Sequence, residues 1–192
     1  MFRTQAIILQ KNIIHPKKTR VILFTREYGK LHVWYRRMPH EIGDTGAILN
    51  VGIDRRDGIN FLSHASVRKA LVPLEHTYNE LILLLELIRV MSLILPDGMA
   101  QEQIFDDYGE IYSRMDDVEC LKKNITIFLF RLLKITGVLN PEPFRNQSPL
   151  NAIYTHIDRV HIRTILASEK LSHDQLDDMK HYAFSSLASY IA

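Results

Sequence analysis

The sequence predicts an α+β chain in which a small five-stranded β-barrel is followed by an all-α helical domain. Three observations lead to this prediction. Short β-branched and aromatic segments alternate with turn signals up to residue 70, apolar residues recur at helical spacing after Pro73, and the composition changes from basic to acidic between the two parts. We therefore expect two domains, residues 1–72 and residues 73–192.

Five segments of the first domain have the composition of β-strands. They are Thr4–Lys11, Arg20–Arg26, Lys30–Arg37, Ala47–Asp54 and Ile59–Lys69. Gly29 and Gly58, which follow the second and fourth segments, indicate tight hairpins because glycine adopts positive φ without a steric penalty. Five short strands bury two faces only if the sheet closes on itself, and the OB-fold is the common five-stranded barrel of this kind.

Apolar residues at spacings of three and four predict the helices of the second domain. We expect longer helices over residues 74–95, 101–115, 118–136 and 174–191, and two shorter ones, one from Ser148 through Ile157 and one at His161–Ser168. In the second helix, Asp106, Asp107 and Glu110 share the polar side, which we expect to lie in solvent. The third helix is the most apolar and should form the centre of the helical core.

Charge is distributed unevenly along the chain. Residues 1–70 contain 13 Lys and Arg against 5 Asp and Glu, whereas the remaining residues contain 11 against 17. A small domain with an excess of eight positive charges is typical of proteins that bind nucleic acid, because Lys and Arg neutralise phosphates. A merely solvated basic surface is the alternative, and it accounts less well for so large an excess.

The third strand carries the aromatic residue that a nucleic-acid site needs. Alternation places Val33 and Tyr35 on one face of the strand and Trp34 and Arg36 on the other. An exposed indole stacks on unpaired bases while neighbouring cations hold phosphates. Packing of Trp34 against the helical domain is the open alternative.

The basic residues of the first domain complete the candidate site. The cluster of His15, Lys17, Lys18 and Arg20 falls between the first two predicted strands, where an OB-fold has one of its ligand-binding loops. The candidate nucleic-acid contacts are Lys17, Lys18, Arg20, Arg26, Trp34, Arg36, Arg37, Arg55 and Arg56.

Sequence motifs of the common enzyme classes are missing. The chain has no G-x-x-x-x-G-K-[ST], G-x-G-x-x-G or G-x-S-x-G pattern, so we expect a protein without enzymatic activity or cofactor. Its single cysteine and its scattered histidines lack the ligand spacing of a zinc site, and we expect no metal. The N-terminal residues lack the apolar run of a secretory signal, which favours a cytoplasmic protein without a membrane segment.

Two stretches of the sequence resemble the bacterial RecO family of recombination mediators. Thr4–Leu9 and Lys18–Lys30 follow the family's T-x-A-I-V-L strand and its I-V-x-L-F-T-x-E-x-G-K hairpin. The most specific matches are Phe24, Thr25, Glu27, Gly29 and Lys30. Residues 128–138 are similar to the family's F-x-x-x-L-L-x-x-x-G helix, but the two cysteine pairs that follow it in many members are missing here.

The resemblance implies an OB-fold barrel followed by a helical domain, in a nucleoid-associated protein of the cytoplasm. It further implies a protein that binds single- and double-stranded DNA, anneals complementary strands, contacts the tail of the single-strand-binding protein, and helps RecR to load RecA. Annealing needs no catalytic residue, because cations reduce the repulsion between two phosphate backbones and base pairing supplies the driving force.

Two alternatives to a recombination mediator stay open. One is a protein-interaction adaptor whose helical domain captures a partner's tail in an apolar groove. That groove would be lined by Leu84, Leu87, Val90 and Met91, for which burial inside the helical bundle is the favoured alternative. The other is an RNA-binding OB-fold module without annealing activity.

Overall fold

The N-terminal residues form a closed five-stranded barrel, as the sequence predicts. The computed structural model describes residues 1–16, 18–36, 42–70, 77–113, 118–140, 151, 154–155, 157 and 172–191, except the side chains of 118–120, 173 and 191. The strands are β1 (Phe2–His15), β2 (Lys18–Thr25), β3 (Gly29–Tyr35), β4 (Ile48–Arg56) and β5 (Ile59–Lys69). They pair in the order β1-β2-β3-β5-β4, and β4 closes the barrel against β1. Only the pairing of β3 with β5 is parallel, which gives the strand order of an OB-fold.

Alternation along the strands explains the barrel core. Val21 and Leu23 of β2 and Val33 and Tyr35 of β3 are buried in one apolar cluster, as predicted for β3. Each large apolar side chain that is buried in this way contributes about 1.5–3 kcal/mol to folding. The residues between them face outward, and that outer surface carries the basic side chains of β2 and β3.

The first strand extends further than the sequence predicts. β1 continues to His15 because it pairs with β2 along a long hairpin, in which Asn12 lies opposite Arg20 and His15 lies opposite Lys18. The prediction that His15, Lys18 and Arg20 lie in a loop between the first two strands is therefore wrong. Lys18 and Arg20 both lie on β2, where the barrel fixes the direction of their side chains.

The fourth strand is also longer than predicted. β4 includes Arg55 and Arg56, so that only Asp57 and Gly58 form the turn to β5. Both turn residues have positive φ, 50° and 76°, as a type I′ hairpin requires.

Four helices lie in the part of the helical region that the structure describes. They are α1 (Tyr78–Ile94), α2 (Glu102–Tyr112), α3 (Val118–Ile135) and α4 (His173–Ile191). α1 begins at a capping box, in which the side chains of Thr77 and Glu80 each accept from the other's backbone N–H. The predicted short helices near Ile157 and at His161–Ser168 lie outside the described residues, apart from single positions. Among the described residues, no helix is long and apolar enough to cross a bilayer.

The chain divides into two compact units, Met1–Gly109 and Glu110–Ala192. The first unit contains α1 and most of α2 as well as the barrel. The change from strands to helices after residue 72 therefore does not coincide with the division between the units. The division into domains at residues 1–72 and 73–192 stays a prediction.

Helix α3 is the apolar centre of the second unit, as the sequence predicts. Ile127 and Phe128 are fully buried, and α3 packs against α4. Gly137, with φ of 73°, ends the helix, and the N–H of Val138 donates to the carbonyl of Leu133 at 2.9 Å. This is the hydrogen bond of a Schellman motif.

Gly29 lies where the turn between β2 and β3 meets the segment that follows α1. Its φ is +70°, and a Cβ at this position would lie 2.2 Å from the carbonyl oxygen of Met99. The neighbouring residue, Lys30, contacts the same segment twice. Its carbonyl oxygen accepts a hydrogen bond from the N–H of Gly98 at 3.0 Å, and its ammonium group lies 3.3 Å from the carboxylate of Asp97. Both the turn and the close approach of the two segments therefore require glycine.

Gly29→Ala is expected to destabilise the protein far more than Gly58→Ala. Both glycines have positive φ, so either alanine carries strain of roughly 1–2 kcal/mol. Only at Gly29 does the added methyl group meet backbone, since nothing lies within 4 Å of the Cβ position at Gly58. Chemical denaturation should show an additional loss of roughly 1–3 kcal/mol for Gly29→Ala, and equal losses would contradict this packing.

Candidate nucleic-acid interface

Basic and aromatic residues lie in a row across the outer face of three neighbouring strands. Arg20 of β2 lies opposite Trp34 of β3, and Trp34 lies opposite Phe61 of β5. Lys18 stands two positions from Arg20 on β2, so it projects from the same side of the sheet. Arg36 directly follows β3 and lies over the ring of Phe61. We call these five residues the cation–aromatic face.

The cations of this face lie beside aromatic and imidazole rings. The Nζ of Lys18 lies 4.6 Å from the ring centroid of Trp34, and the Cζ of Arg36 lies 4.6 Å from that of Phe61. The guanidinium of Arg20 lies 3.1 Å from Nδ1 of His32. Among the described residues, none of the three cations forms an ion pair with a carboxylate. Their positive charges are therefore available to an incoming anion.

Other basic residues of the barrel are neutralised by carboxylates. The Nζ of Lys11 lies 2.6 Å from Asp44, and that of Lys30 lies 3.3 Å from Asp97. Both side chains are only 14% exposed. These two lysines hold segments of the first unit together and offer little charge to a ligand.

Arg26, a predicted nucleic-acid contact, is surrounded by carboxylates of α2. Its Nε and one terminal nitrogen donate to the two carboxylate oxygens of Asp106, each at 3.0 Å, and its other terminal nitrogen lies 3.1 Å from Glu102. The hydrogen bonds and charge of Asp106 raise the pKa of the Arg26 guanidinium above its already high ordinary value. Arg26 therefore joins α2 to the barrel, and a phosphate would have to compete with two carboxylates for it.

The prediction that the acidic side of α2 lies in solvent is wrong for Asp107. Its side chain is buried, with 3% of the residue exposed. Asp107 follows Ile104 by three positions and precedes Ile111 by four, so it lies on the same buried stripe of the helix as these two residues.

The hairpin between β4 and β5 carries two further predicted contacts. Asp54 of β4 lies opposite Phe61 of β5. Alternation along β4 places Arg56 on the same face as Asp54 and places Arg55 on the other face. Arg56 lies 3.9 Å from Asp54, and its side chain is 73% exposed. Such an exposed pair is worth little, so Arg56 can extend the cation–aromatic face toward the hairpin.

The structure brings together four of the predicted contacts: Lys18, Arg20, Trp34 and Arg36. Lys17 and Arg37 lie outside the described residues. Phe61 was not predicted, because it joins the face through the parallel pairing of β3 with β5, which joins distant parts of the chain. The OB-fold strand order is the signal that could have revealed it.

The residues with the most specific resemblance to the RecO family lie outside the cation–aromatic face. Phe24 packs against Phe105 with ring centroids 6.2 Å apart, and the hydroxyl of Thr25 donates to the carbonyl of Gly29 at 2.8 Å. Lys30 pairs with an aspartate, as described above. These residues close the turn between β2 and β3 and hold helical segments against the barrel.

Other sites weighed from the sequence are not formed by the described residues. Leu84, Leu87 and Met91, which an adaptor groove would need on the surface, are at most 1% exposed, as the favoured alternative of burial predicts. In the part of the chain that the structure describes, no group of three or more His, Cys, Asp or Glu side chains is arranged to hold a metal ion.

Arg26→Gln is expected to lower the free energy of unfolding by about 1 kcal/mol, because it removes a bidentate pair in a small charge network. Arg20→Gln, the same substitution six positions away, should cost much less because it breaks only a contact with a histidine. Denaturation at low and high salt measures both, and the difference should shrink as salt screens the network. A larger loss for Arg20→Gln would contradict these roles.

Comparisons with known proteins do not assign this chain to a family. No family model matches the sequence, and no curated protein is significantly similar to it. Relationship to the RecO family therefore stays a prediction from the residues named above.

Proposed function

We propose that this chain is a DNA-repair and homologous-recombination mediator that binds single-stranded DNA on the cation–aromatic face and promotes annealing of complementary strands. One observation supports it most strongly: three cations that pair with no carboxylate among the described residues lie beside two aromatic rings on one face of an OB-fold barrel. Binding of double-stranded DNA, contact with the single-strand-binding protein, cooperation with RecR in loading RecA, and association with the nucleoid belong to the same proposal.

A single strand of DNA offers both kinds of group that this face can bind. Its phosphates suit Lys18, Arg20 and Arg36, and its unpaired bases suit the rings of Trp34 and Phe61. The face also includes β2 and β3, the strands on which OB-folds usually bind oligonucleotides. The position of this face on the barrel and the chemistry of its side chains therefore both support binding of a single strand.

Annealing follows from binding without any catalytic group. Two complementary strands repel each other through their phosphates, and neutralisation by Lys18, Arg20 and Arg36 lowers that repulsion. Because the interaction releases counterions, both binding and annealing should weaken as salt rises. The adaptor alternative has less support, since three of its four groove residues, Leu84, Leu87 and Met91, are buried.

An annealing assay with two complementary oligonucleotides, one carrying a fluorophore and the other a quencher, tests this function. The wild-type chain should accelerate annealing at low salt. Arg20→Gln should reduce the acceleration several-fold, because it removes an available cation. Arg3→Gln is the matched control: Arg3 is an exposed strand arginine opposite Gly52 of β4, on another side of the barrel, and its loss should have little effect.

Two results would contradict the proposal. Tight binding without any acceleration of annealing would leave a binding protein that is not a mediator. Equal effects of Arg20→Gln and Arg3→Gln would show that the cation–aromatic face is not the site. Competition with RNA of the same sequence tests the ligand, and a preference for RNA would favour the RNA-binding alternative.

A further inference from the structure

We propose that the two rings of the cation–aromatic face are capped by cations in the free protein, and that a single strand exchanges places with these caps. A base stacks on each ring, and a phosphate of the same strand binds the cation that is displaced from that ring. This inference rests on the proposed function and makes it more specific, because it names unpaired nucleotides, and not duplex, as the ligand of this face.

The two caps have the same geometry on neighbouring strands. Lys18 lies over the ring of Trp34 and Arg36 over the ring of Phe61, each at 4.6 Å from the centroid. Stacked aromatic rings have centroids roughly 4.5–7 Å apart, so each cation occupies the place that a stacked base needs. Lys18 and Arg36 are exposed while both rings are half-buried, which puts each cap on the solvent side of its ring.

Energies favour the exchange once a base is present. A cation over a ring at an exposed site contributes about 0.5–1 kcal/mol, whereas a base stacked on an aromatic side chain contributes about 1–3 kcal/mol. The displaced cation does not lose its interaction, because a phosphate of the same strand replaces the ring. Ring, cation, base and phosphate therefore all have partners in the complex.

Duplex DNA cannot complete this exchange. Its bases are stacked on one another inside the helix and present only their edges in the grooves. A duplex would reach Lys18 and Arg36 through phosphates alone, without covering the rings of Trp34 and Phe61. The face therefore discriminates by base stacking, while the electrostatic contribution is common to both ligands.

The sequence provides a direct reporter of this exchange. Trp34 is the single tryptophan of the chain, so tryptophan emission comes from the capped ring alone. An oligothymidylate should change this emission strongly as a base stacks on the indole. An abasic oligonucleotide and a hairpin duplex of equal phosphate number, whose binding is followed by anisotropy, should bind and change the emission little. An equal change with all three probes would overturn the proposal.

Phe61→Leu tests the second ring. It should weaken oligothymidylate binding roughly 5- to 150-fold, the factor that corresponds to the stacking energy of one base, and should leave duplex binding unchanged. Phe61→Tyr, which keeps the ring, is the matched control and should bind as the wild type does. Equal losses for single strand and duplex, or no loss for either, would contradict the role of the ring.

Lys18→Met tests the cap itself, because methionine removes the charge and keeps an unbranched side chain. Emission of the free variant should differ from that of the wild type, and the two spectra should converge at saturating oligothymidylate. A difference that persists in the complexes would show that Lys18 stays over the ring. Failure of every nucleic acid to bind would refute the proposed function, whereas binding with identical emission for all probes would refute only the exchange.

Discussion

In this protein, the ability of a surface to bind an anion depends on which group holds each cation of the barrel. Lys11, Arg26 and Lys30 are paired with carboxylates, and these ion pairs hold loops and helices of the first unit in place. Lys18 and Arg36 lie over aromatic rings, and Arg20 contacts an imidazole. A ring positions a cation without cancelling its charge, so Lys18, Arg20 and Arg36 remain available beside two aromatic rings. Arg3 and Arg55 are also exposed but lie outside this face.

The same distinction explains the charge asymmetry of the sequence. Part of the positive excess of the first 70 residues is neutralised by acidic residues that follow the barrel, since Asp97, Glu102 and Asp106 pair with Lys30 and Arg26. The rest stands on the surface of the barrel. The RecO-like hairpin Lys18–Lys30 contributes to both groups, because Arg26 and Lys30 are paired with carboxylates and Lys18 and Arg20 belong to the cation–aromatic face. Its most specific matches, Phe24, Thr25 and Lys30, bear on how helical segments are attached to the barrel.

Much of the fold could be predicted because its determinants are local. Alternation gave the two faces of β3, and glycines with positive φ marked both hairpins. Relations between distant residues could not be predicted in this way. The partner of Arg26 lies 80 positions away, and Phe61 meets Trp34 only through the parallel pairing of β3 with β5. Sequence identifies a cation, but only the folded chain shows whether a carboxylate or a ring holds it.

The salt dependence of oligothymidylate binding tests the central claim most directly. Wild-type protein is compared with the triple variant Lys18→Gln/Arg20→Gln/Arg36→Gln, and the logarithm of the affinity is followed against the logarithm of the salt concentration. Each phosphate contact on a single strand contributes roughly 0.7 to the slope, so loss of three contacts should reduce it by about 2. An unchanged slope would contradict the claim that these three cations are the ones that bind the phosphates.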